Sequence, residues 1–447
     1  MRRCALPLKE SGHDRTTGAT ATSPIGAPAE RARSHGSGQV SAEVPPAPRT
    51  RRTGAAAEVF RVFLGLGLTS FGGPVAHLGY FREVFVVRRR WLSESAYADL
   101  VALCQFLPGP ASSQVGMAIG LRRAGYAGMA AAWIAFTLPS AVLLVAFALG
   151  VQAVGAQPGA GWLLGLKAAA VAVVAHAVVG MARSLASGKR QATIAVAALA
   201  LVLLLPSAFS QVAAILLGGV LGLVWLNTAE STDVEKEEDD PGIPVGRRTA
   251  VACLAVFAAL LAALPVLALL TANPALGLTD GFYRAGSLVF GGGHVVLPLL
   301  EAEVVGGGLV DHESFLAGYG AAQAVPGPLF TFAAYLGALT PVAGSPLLGA
   351  SIALVSVFLP SALLVVGALP FWERLRAAPR ARRAVAGAGA AVVGILGAAL
   401  YDPVFTQGVV SPGTMAVAAV AFVALAVWRT PAWAVVLAAS VIGFLLL

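Results

Sequence analysis

The chain has 447 residues, of which 57% are hydrophobic and only 12% charged, and its mean hydropathy is +0.80. An ordinary globular domain is about a quarter charged, and several apolar runs here approach the roughly 20 residues that span a bilayer, so a soluble fold is excluded. The net charge of +8 comes from short basic clusters between apolar runs, where orientation signals sit, so nucleic acid is not an expected partner.

Residues 1 to about 55 are rich in Ser, Thr, Pro, Gly, Ala and Arg without apolar periodicity, and read as a disordered tail. They hold no apolar core of a secretory signal. An apolar stretch from Ala55 to about Val87 is broken at Phe71-Gly72-Gly73-Pro74 and followed by Arg88-Arg89-Arg90. Ser93 is the expected N-cap of the next helix, which runs to Leu107, breaks at Pro108-Gly109-Pro110, resumes at Ser112 and ends near Arg122-Arg123. Full-length apolar segments follow at about 126–150 and 161–182, then a shorter pair, 192–205 and 212–226, separated by Pro206-Ser207. Residues 227–248 form a polar connector expected in the cytoplasm, and a linking apolar span leads from 249 towards 279.

After that span the first pattern recurs. Phe71-Gly72-Gly73 matches Phe290-Gly291-Gly292, Pro108-Gly109-Pro110 matches Pro326-Gly327-Pro328, and Leu138-Pro139-Ser140-Ala141 matches Leu359-Pro360-Ser361-Ala362. The offsets between first residues are 219, 218 and 221. Three motifs in one order at a nearly constant offset indicate a duplication, with halves at 56–226 and 280–447. Nine ordinary spans and four broken segments are expected.

Basic residues flank every broken segment of the first half: Arg49, Arg51 and Arg52 before, Arg88–Arg90 between, Arg122 and Arg123 after. If each broken segment is a hairpin of two half-helices, all three clusters lie on the cytoplasmic side; if each crosses once, the middle cluster faces the other way. In the second half the matching loops, Val304–Ser314 and Leu336–Pro346, hold no Lys or Arg, whereas the loop Arg374–Arg383 holds five arginines. The expected fold is therefore an all-α polytopic membrane protein built as an inverted-topology repeat with broken, re-entrant helices, a common plan for secondary transporters.

A Pro-Gly-Pro inside hydrocarbon removes backbone donors and turns the chain sharply, and survives only where it is buried in protein or lines a wet cavity. Half-helix N-termini at such a break favour an anion. The candidate binding residues are Gln105, Pro108, Gly109, Pro110, Ser112, Ser113 and Gln114 in the first half, and Gln323, Pro326, Gly327, Pro328 and Thr331 in the second. Gly72, Gly73, Gly291 and Gly292 are candidates for a second pair of breaks facing the same cavity, against close helix packing as the plain alternative. His77, His294, Glu83 and Glu301 are candidate proton or anion relays, although His77 and His294 serve equally as hydrogen-bonded core residues and Glu83 fits a membrane-edge position. Arg82, Arg122 and Arg123 fit a cytoplasmic mouth, and orientation signalling accounts for them equally well. Gly218-xxx-Gly222 reads as helix packing. Three scattered cysteines, Cys4, Cys104 and Cys253, have no metal or disulfide spacing, so neither metal nor cofactor is expected.

At Ser70 to His77 (Ser-Phe-Gly-Gly-Pro-Val-Ala-His), at Arg90-Trp91-Leu92-Ser93-Glu94 and from Leu103 to Gln114, the sequence resembles the chromate ion transporter family. Phe290 to His294 and Gln323 to Pro328 resemble that family's C-terminal copy, so the match covers nearly everything from residue 56 onward. The tail before residue 55 departs from the family pattern. The resemblance implies a multi-pass protein of the bacterial inner membrane that exports chromate from the cytoplasm, driven by the proton-motive force and conferring chromate resistance. The partners expected are chromate, or the similar dianion sulfate, the lipid bilayer and a second copy of the chain in a homodimer. A carrier of sulfate or another anion, and a passive anion channel, are the alternatives. No His-Glu-x-x-His or Gly-x-Ser-x-Gly occurs in the spans, which speaks against an intramembrane enzyme, and no phosphate-binding loop speaks for ATP-driven pumping.

Overall fold

The broken segments fold as pairs of half-length helices. In the first half these are α1 (Ala55–Thr69) with α2 (Gly73–Arg82), and α3 (Glu94–Phe106) with the first part of α4 (Ala111–Val154). Gly72 and Gly109 make the breaks at φ +104 and +120, left-handed backbone that only glycine takes without strain. Pro74 starts α2 where its missing N–H is not needed. The Ser93 side chain accepts from the Ala96 N–H and caps α3 as expected. At Ala124-Gly125 the backbone of α4 leaves helical geometry, so residues 111–123 form a half-helix and 126–154 a full span. At 1.5 Å per residue the 15 residues of α1 rise about 22 Å, short of the roughly 30 Å hydrocarbon core.

The structure is a computed structural model that describes residues 55–154, 160–205, 208–227, 245–290, 293–340, 342 and 344–447. The tail expected at 1–55, save Ala55, the Pro206-Ser207 turn, most of the 227–248 connector and the candidate site residues Gly291 and Gly292 lie outside the described residues.

The second half repeats the first. α9 (Pro274–Leu288) pairs with α10 (Val296–Val304) beyond a 3-10 turn, Gly293–Val295, and α11 (His312–Ala324) pairs with α12 (Phe332–Leu339) beyond the 3-10 turn Leu329–Thr331. Asp311 caps α11 through the Ser314 N–H, 218 residues after Ser93 caps α3.

Ion pairs decide between hairpins and single crossings. Glu58, near the start of α1, pairs with Arg89 at 3.3 Å and with Arg123 at 2.9 Å. The Arg89 and Arg123 guanidinium groups stand 5.6 and 4.9 Å from the Trp91 ring centre. The start of α1, the loop after α2 and the end of the α4 half-helix thus meet at one end, which only re-entrant hairpins allow. In the second half the Tyr335 hydroxyl of α12 donates to the Ser314 carbonyl of α11 at 2.8 Å, closing the matching hairpin.

Among the described residues five helices are long and apolar enough to cross a membrane: Ala111–Ala153, Gly161–Leu185, Arg247–Thr271, Pro346–Phe371 and Pro379–Gly408. They correspond to α4, α5 (Gly161–Leu185), α8 (Arg247–Thr271), α13 (Pro346–Ala368) and, past the short α14 (Trp372–Ala377), α15 (Pro379–Ala399) with its extension through α16 (Thr406–Gly408). Two pairs of shorter helices close the halves: α6 (Lys189–Leu204) with α7 (Ala208–Trp225), and α17 (Pro412–Ala426) with α18 (Ala432–Leu446).

These closing pairs are exchanged. α6 and α7 pack on α15 of the second half, and α17 and α18 pack on α5 of the first. Small residues make the close approach possible. A Cβ on Gly218 would come within 2.8 Å of the Gly387 carbonyl oxygen, and one on Gly222 within 2.2 Å of that of Arg383. Reciprocally, Gly165 would meet the Ala439 carbonyl at 2.1 Å and Gly161 that of Gly443 at 2.3 Å. The Gly218-xxx-Gly222 pair is therefore a packing device. The exchange ties the described residues of both halves into one body, while Leu217 on α7, Leu269 and Leu270 on α8 and Phe444 on α18 stay exposed, as lipid-facing side chains do.

A candidate anion cavity at the crossing of two broken helices

The repeated motifs meet, and each half's motifs meet the other half's. The Gly109 N–H donates to the Val289 carbonyl at 2.7 Å, and the Gly327 N–H donates to the Ser70 carbonyl at 2.9 Å. Each Pro-Gly-Pro thus satisfies a donor on the last carbonyl before the partner half's Phe-Gly-Gly. The Leu-Pro-Ser repeats stand behind them: a Cβ on Gly109 would lie 2.3 Å from the Ser361 hydroxyl, and one on Gly327 2.8 Å from that of Ser140. Reciprocal pairing of this kind is what a two-fold relation between the halves produces. It also satisfies the backbone groups that a broken helix frees.

One crossing, Gly327 on Ser70, opens into a cavity of about 430 Å³. Gly72, Gly73 and Pro74 line it from the first half, and His294, Gln323, Val325, Gly327 and Leu329 from the second. Half-helix N-termini converge there. A Cβ on Gly293 would lie 3.3 Å from Pro74 and 3.6 Å from Leu329, which places the starts of α2 and of the turns leading into α10 and α12 side by side. Their free N–H groups and dipole ends favour negative charge. The His294 ring bonds the Tyr319 hydroxyl at 2.7 Å through Nδ1, and the Gln323 amide nitrogen, Nε2, is buried without a partner.

The remaining wall comes from α5, through Val173 and His176, and from the α17–α18 turn, through Arg429 and Thr430. Gly443 lies on Gly161 and Ala439 on Gly165, so α18 runs antiparallel to α5 and its first residues lie level with the middle of α5. Arg429 is therefore set at mid-depth. It has φ +55, one of three non-glycine residues with positive φ among those described, and it has no ion-pair partner among them. A left-handed backbone costs a residue like arginine about 1–2 kcal/mol, and such strain persists where the surrounding structure fixes it.

The other crossing is packed. Ser112, Ser113 and Gln114 at the start of α4 are buried. Ser112 Oγ lies 3.4 Å from His77 Nδ1, whose Nε2 faces the Ser70 carbonyl at 3.2 Å, so His77 bridges the first break to the second. The Gln114 amide donates to the Pro108 carbonyl at 2.7 Å, while its oxygen and the Ser113 and Ser361 hydroxyls are buried without partners. Pro108 and Pro110 flank the Gly109 contact; Pro326 and Pro328 flank that of Gly327, and Thr331 donates to the Pro328 carbonyl at 2.7 Å. Gln105, at the position matching Gln323, is exposed on α3.

The charged candidates fall elsewhere. Arg82 pairs with Glu94, Arg123 with Glu58, and Glu83 with Arg88 at 2.8 Å. None of these, nor Arg122, lines the cavity. Glu301 is buried in α10, 3.3 Å from His312, beside a different cavity. Sequence reasoning passed over Arg429, His176 and Lys167, a buried lysine of α5 paired with Glu313 at 3.1 Å. The signal for Lys167 was present, a lone cation inside the 161–182 apolar run. Ser140 and Ser361 were visible as part of a repeat, with nothing to say that the repeats touch. Among the described residues no group of three or more His, Cys, Asp or Glu is placed to hold a metal.

A family model described as "Chromate transporter" matches residues 57–223 and again 276–444. A chromate transport protein from Pseudomonas aeruginosa is 30% identical over 358 residues, 77% of this chain and 80% of the relative. A probable chromate transport protein from Synechococcus elongatus is 27% identical over 77% of this chain and 83% of its own length. One from Cupriavidus metallidurans is 27% identical over 75% and 79%. No solved structure matches the chain. The twice-matched model falls on the two halves that cross at the cavity, and with these relatives it identifies the chain as a multi-pass membrane transporter belonging to the chromate transporter family.

Proposed function

We propose that this chain is a secondary transporter that exports chromate from the cytoplasm across the bacterial inner membrane, driven by the proton-motive force and so conferring resistance. The observation that carries this reading is Arg429, an unpaired cation at mid-depth of the membrane on the wall of a cavity where half-helix N-termini converge. Arg429 is exposed on the wall of this cavity, and its charge attracts a dianion there more strongly the lower the local dielectric. N–H groups and the Gln323 amide supply directional donors for the oxygens of a tetrahedral oxyanion, without a set of fixed charges that would hold it too tightly to release. Chromate as the substrate rests on the family and on relatives named for chromate transport.

The loop charges support this orientation and are compatible with export. The Arg88–Arg90 and Arg122-Arg123 clusters and the Arg374–Arg383 loop belong inside, and the loops Val304–Ser314 and Leu336–Pro346, without Lys or Arg, belong outside. On that assignment the halves are inverted, the α17–α18 turn is approached from the cytoplasm, and the cavity is loaded from the side where the toxic anion must be collected.

Chromate uptake into inverted membrane vesicles, with and without a proton gradient, tests the reading. Saturable uptake that the gradient drives, sulfate competes with and Arg429→Ala weakens supports it. Uptake that ignores the gradient and never saturates makes the protein a channel, and sulfate uptake that chromate does not compete with reassigns the substrate.

A further inference from the structure

A second polar cavity, about 350 Å³, lies away from the anion cavity. Its polar lining is Glu301 of α10, His312 at the start of α11, Asp402 in the π-helical turn Leu400–Phe405 after α15, and Gln211 of α7. It sits towards the other end of the molecule. Glu313, next to His312, pairs with Lys167 on α5, whereas His176, nine residues further along α5, lines the anion cavity. Nine helical residues rise about 13 Å.

Resting on the export reading above, we infer that Glu301, facing His312 and Asp402 across this outward-side cavity, is the site at which the protein takes up the proton that drives transport. Glu301 is 8% exposed and 3.3 Å from His312, a contact without hydrogen-bond geometry. Gln211 is 9% exposed, lines the same space, donates its amide to the Pro298 carbonyl at 3.2 Å and leaves its oxygen, Oε1, without a partner. A buried carboxylate and an orphaned acceptor beside a wet cavity are what a bound proton, or a hydronium passing it on, requires.

The other elements packed around Glu301 bring no competing charge. α15 offers Ile395, Ala398 and Ala399, and α6 offers Val202 and Leu203. On α9, Asp280 and Arg284 are engaged with Glu303 on another face of α10, at 2.9 and 3.0 Å from the Arg284 guanidinium. Asp402, exposed at the rim, lies within 3.0 Å of the Thr406 hydroxyl, whereas Glu301 is the buried carboxylate, paired with His312. Neutralising Glu301 from outside would release it from His312 and free α10, one of the half-helices that begins at the anion cavity.

The experiment compares wild type, Glu301→Gln and His312→Gln in proteoliposomes, with two readouts. Chromate exchange at equal pH on both sides needs no net proton movement, whereas gradient-driven accumulation does. Glu301→Gln is expected to keep exchange and to lose accumulation by about 5- to 150-fold, the span of ordinary coupling energies; His312→Gln is expected to shift the pH at which accumulation is half-maximal. Loss of exchange and accumulation together, retained accumulation, or driving by a sodium gradient instead would each overturn the proposal. The second readout needs no substrate. Infrared difference spectra of the purified protein between high and low pH should show a protonated-carboxyl band that Glu301→Gln removes, and a band unchanged by the substitution overturns the site. Wild-type vesicles that move no chromate would instead count against the export reading, and the infrared result still decides this one.

Discussion

The two crossings are built from the same parts and do different things. At one, Gly327 meets Ser70 beside Ser140; at the other, Gly109 meets Val289 beside Ser361. The first opens into the anion cavity, and the second is closed around Ser112, Ser113 and Gln114. Duplication supplied the backbone geometry twice, and side chains outside the repeated motifs made one copy a site. Arg429 and His176 border the open crossing. Lys167 and Glu313 tie α5 to α11 on the same side, where the positions 218 residues away, Val385 and Ser95, are uncharged and cannot form such a pair. A transporter alternating between two states has a use for this inequality, since one crossing can be open while its mirror image is shut.

The largest effect is expected from putting a side chain at the closed crossing. Gly109→Ala forces a left-handed alanine and brings its Cβ within 2.3 Å of Ser361 Oγ and 2.7 Å of Gln114 Nε2. Strain and overpacking together cost about 2–5 kcal/mol, so folded protein in the membrane should fall sharply. Gly327→Ala carries the same left-handed strain at φ +106, but its nearest contacts are looser, the Ser140 hydroxyl at 2.8 Å and the Phe136 carbonyl at 3.3 Å, so more of its protein should be recovered while transport is lost. Melting temperature in detergent, read beside chromate flux, separates the two. Equal loss of stability in both would break the contrast.

Next is Arg429→Gly, which removes the cation and relieves the backbone at once. Stability should hold or rise by up to about 1 kcal/mol, while KM for the anion rises about tenfold or more, the loss of one charge-assisted contact. A substitution that steadies the protein and cripples it marks a residue kept for function. Unchanged KM would remove Arg429 from the site.

Much of this architecture was legible in the sequence, and the reason is physical. Pro-Gly-Pro and Phe-Gly-Gly-Pro inside hydrocarbon have few foldable meanings, so the breaks, the duplication and the family resemblance could be read from residues alone. The choice between hairpins and single crossings stayed open because loop charge fits either; Glu58, reaching Arg89 and Arg123, decides it. The site was half legible. Gly72, Gly73, His294, Gln323 and Gly327 line the cavity, because they belong to the breaks themselves. Arg429 was missed because it lies 67 residues beyond the nearest repeated motif, Leu359-Pro360-Ser361-Ala362, in a turn that looks like any interhelical loop until α18 is seen to begin level with the middle of α5. Arg82 and Arg123 drew attention through charge alone, and that charge is spent on Glu94 and Glu58.

Glu313→Gln tests the tie that only the open side has. It leaves the Lys167 ammonium, 2% exposed, without its counter-charge. Breaking a fully buried pair costs about 3–5 kcal/mol; Glu313 is 37% exposed, and solvent screening brings the expected loss to about 1–2 kcal/mol. Lys167→Met with Glu313→Gln should recover most of it in thermal unfolding, since the pair is then absent as a whole. A double variant no better than the single would mean that the lysine is held by something other than Glu313.

The smallest effect separates the two neighbouring serines of the closed crossing. Ser112→Ala removes a hydroxyl that sits a long 3.4 Å from His77, and should change stability by less than about 1 kcal/mol and transport little. Ser113 is different, since its buried hydroxyl has no partner among the described residues, and neither do the Ser361 hydroxyl and the Gln114 oxygen around the same crossing. Buried polar atoms in native proteins find partners, and a transported oxyanion passing this crossing would supply one to each hydroxyl. Ser113→Ala should therefore leave the melting temperature unchanged or slightly raised, and lower the maximal rate of chromate transport without a matching change in KM. If Ser113→Ala and Ser112→Ala behave alike in both measurements, the closed crossing is scaffold, and the anion's path runs entirely along the side that carries Arg429.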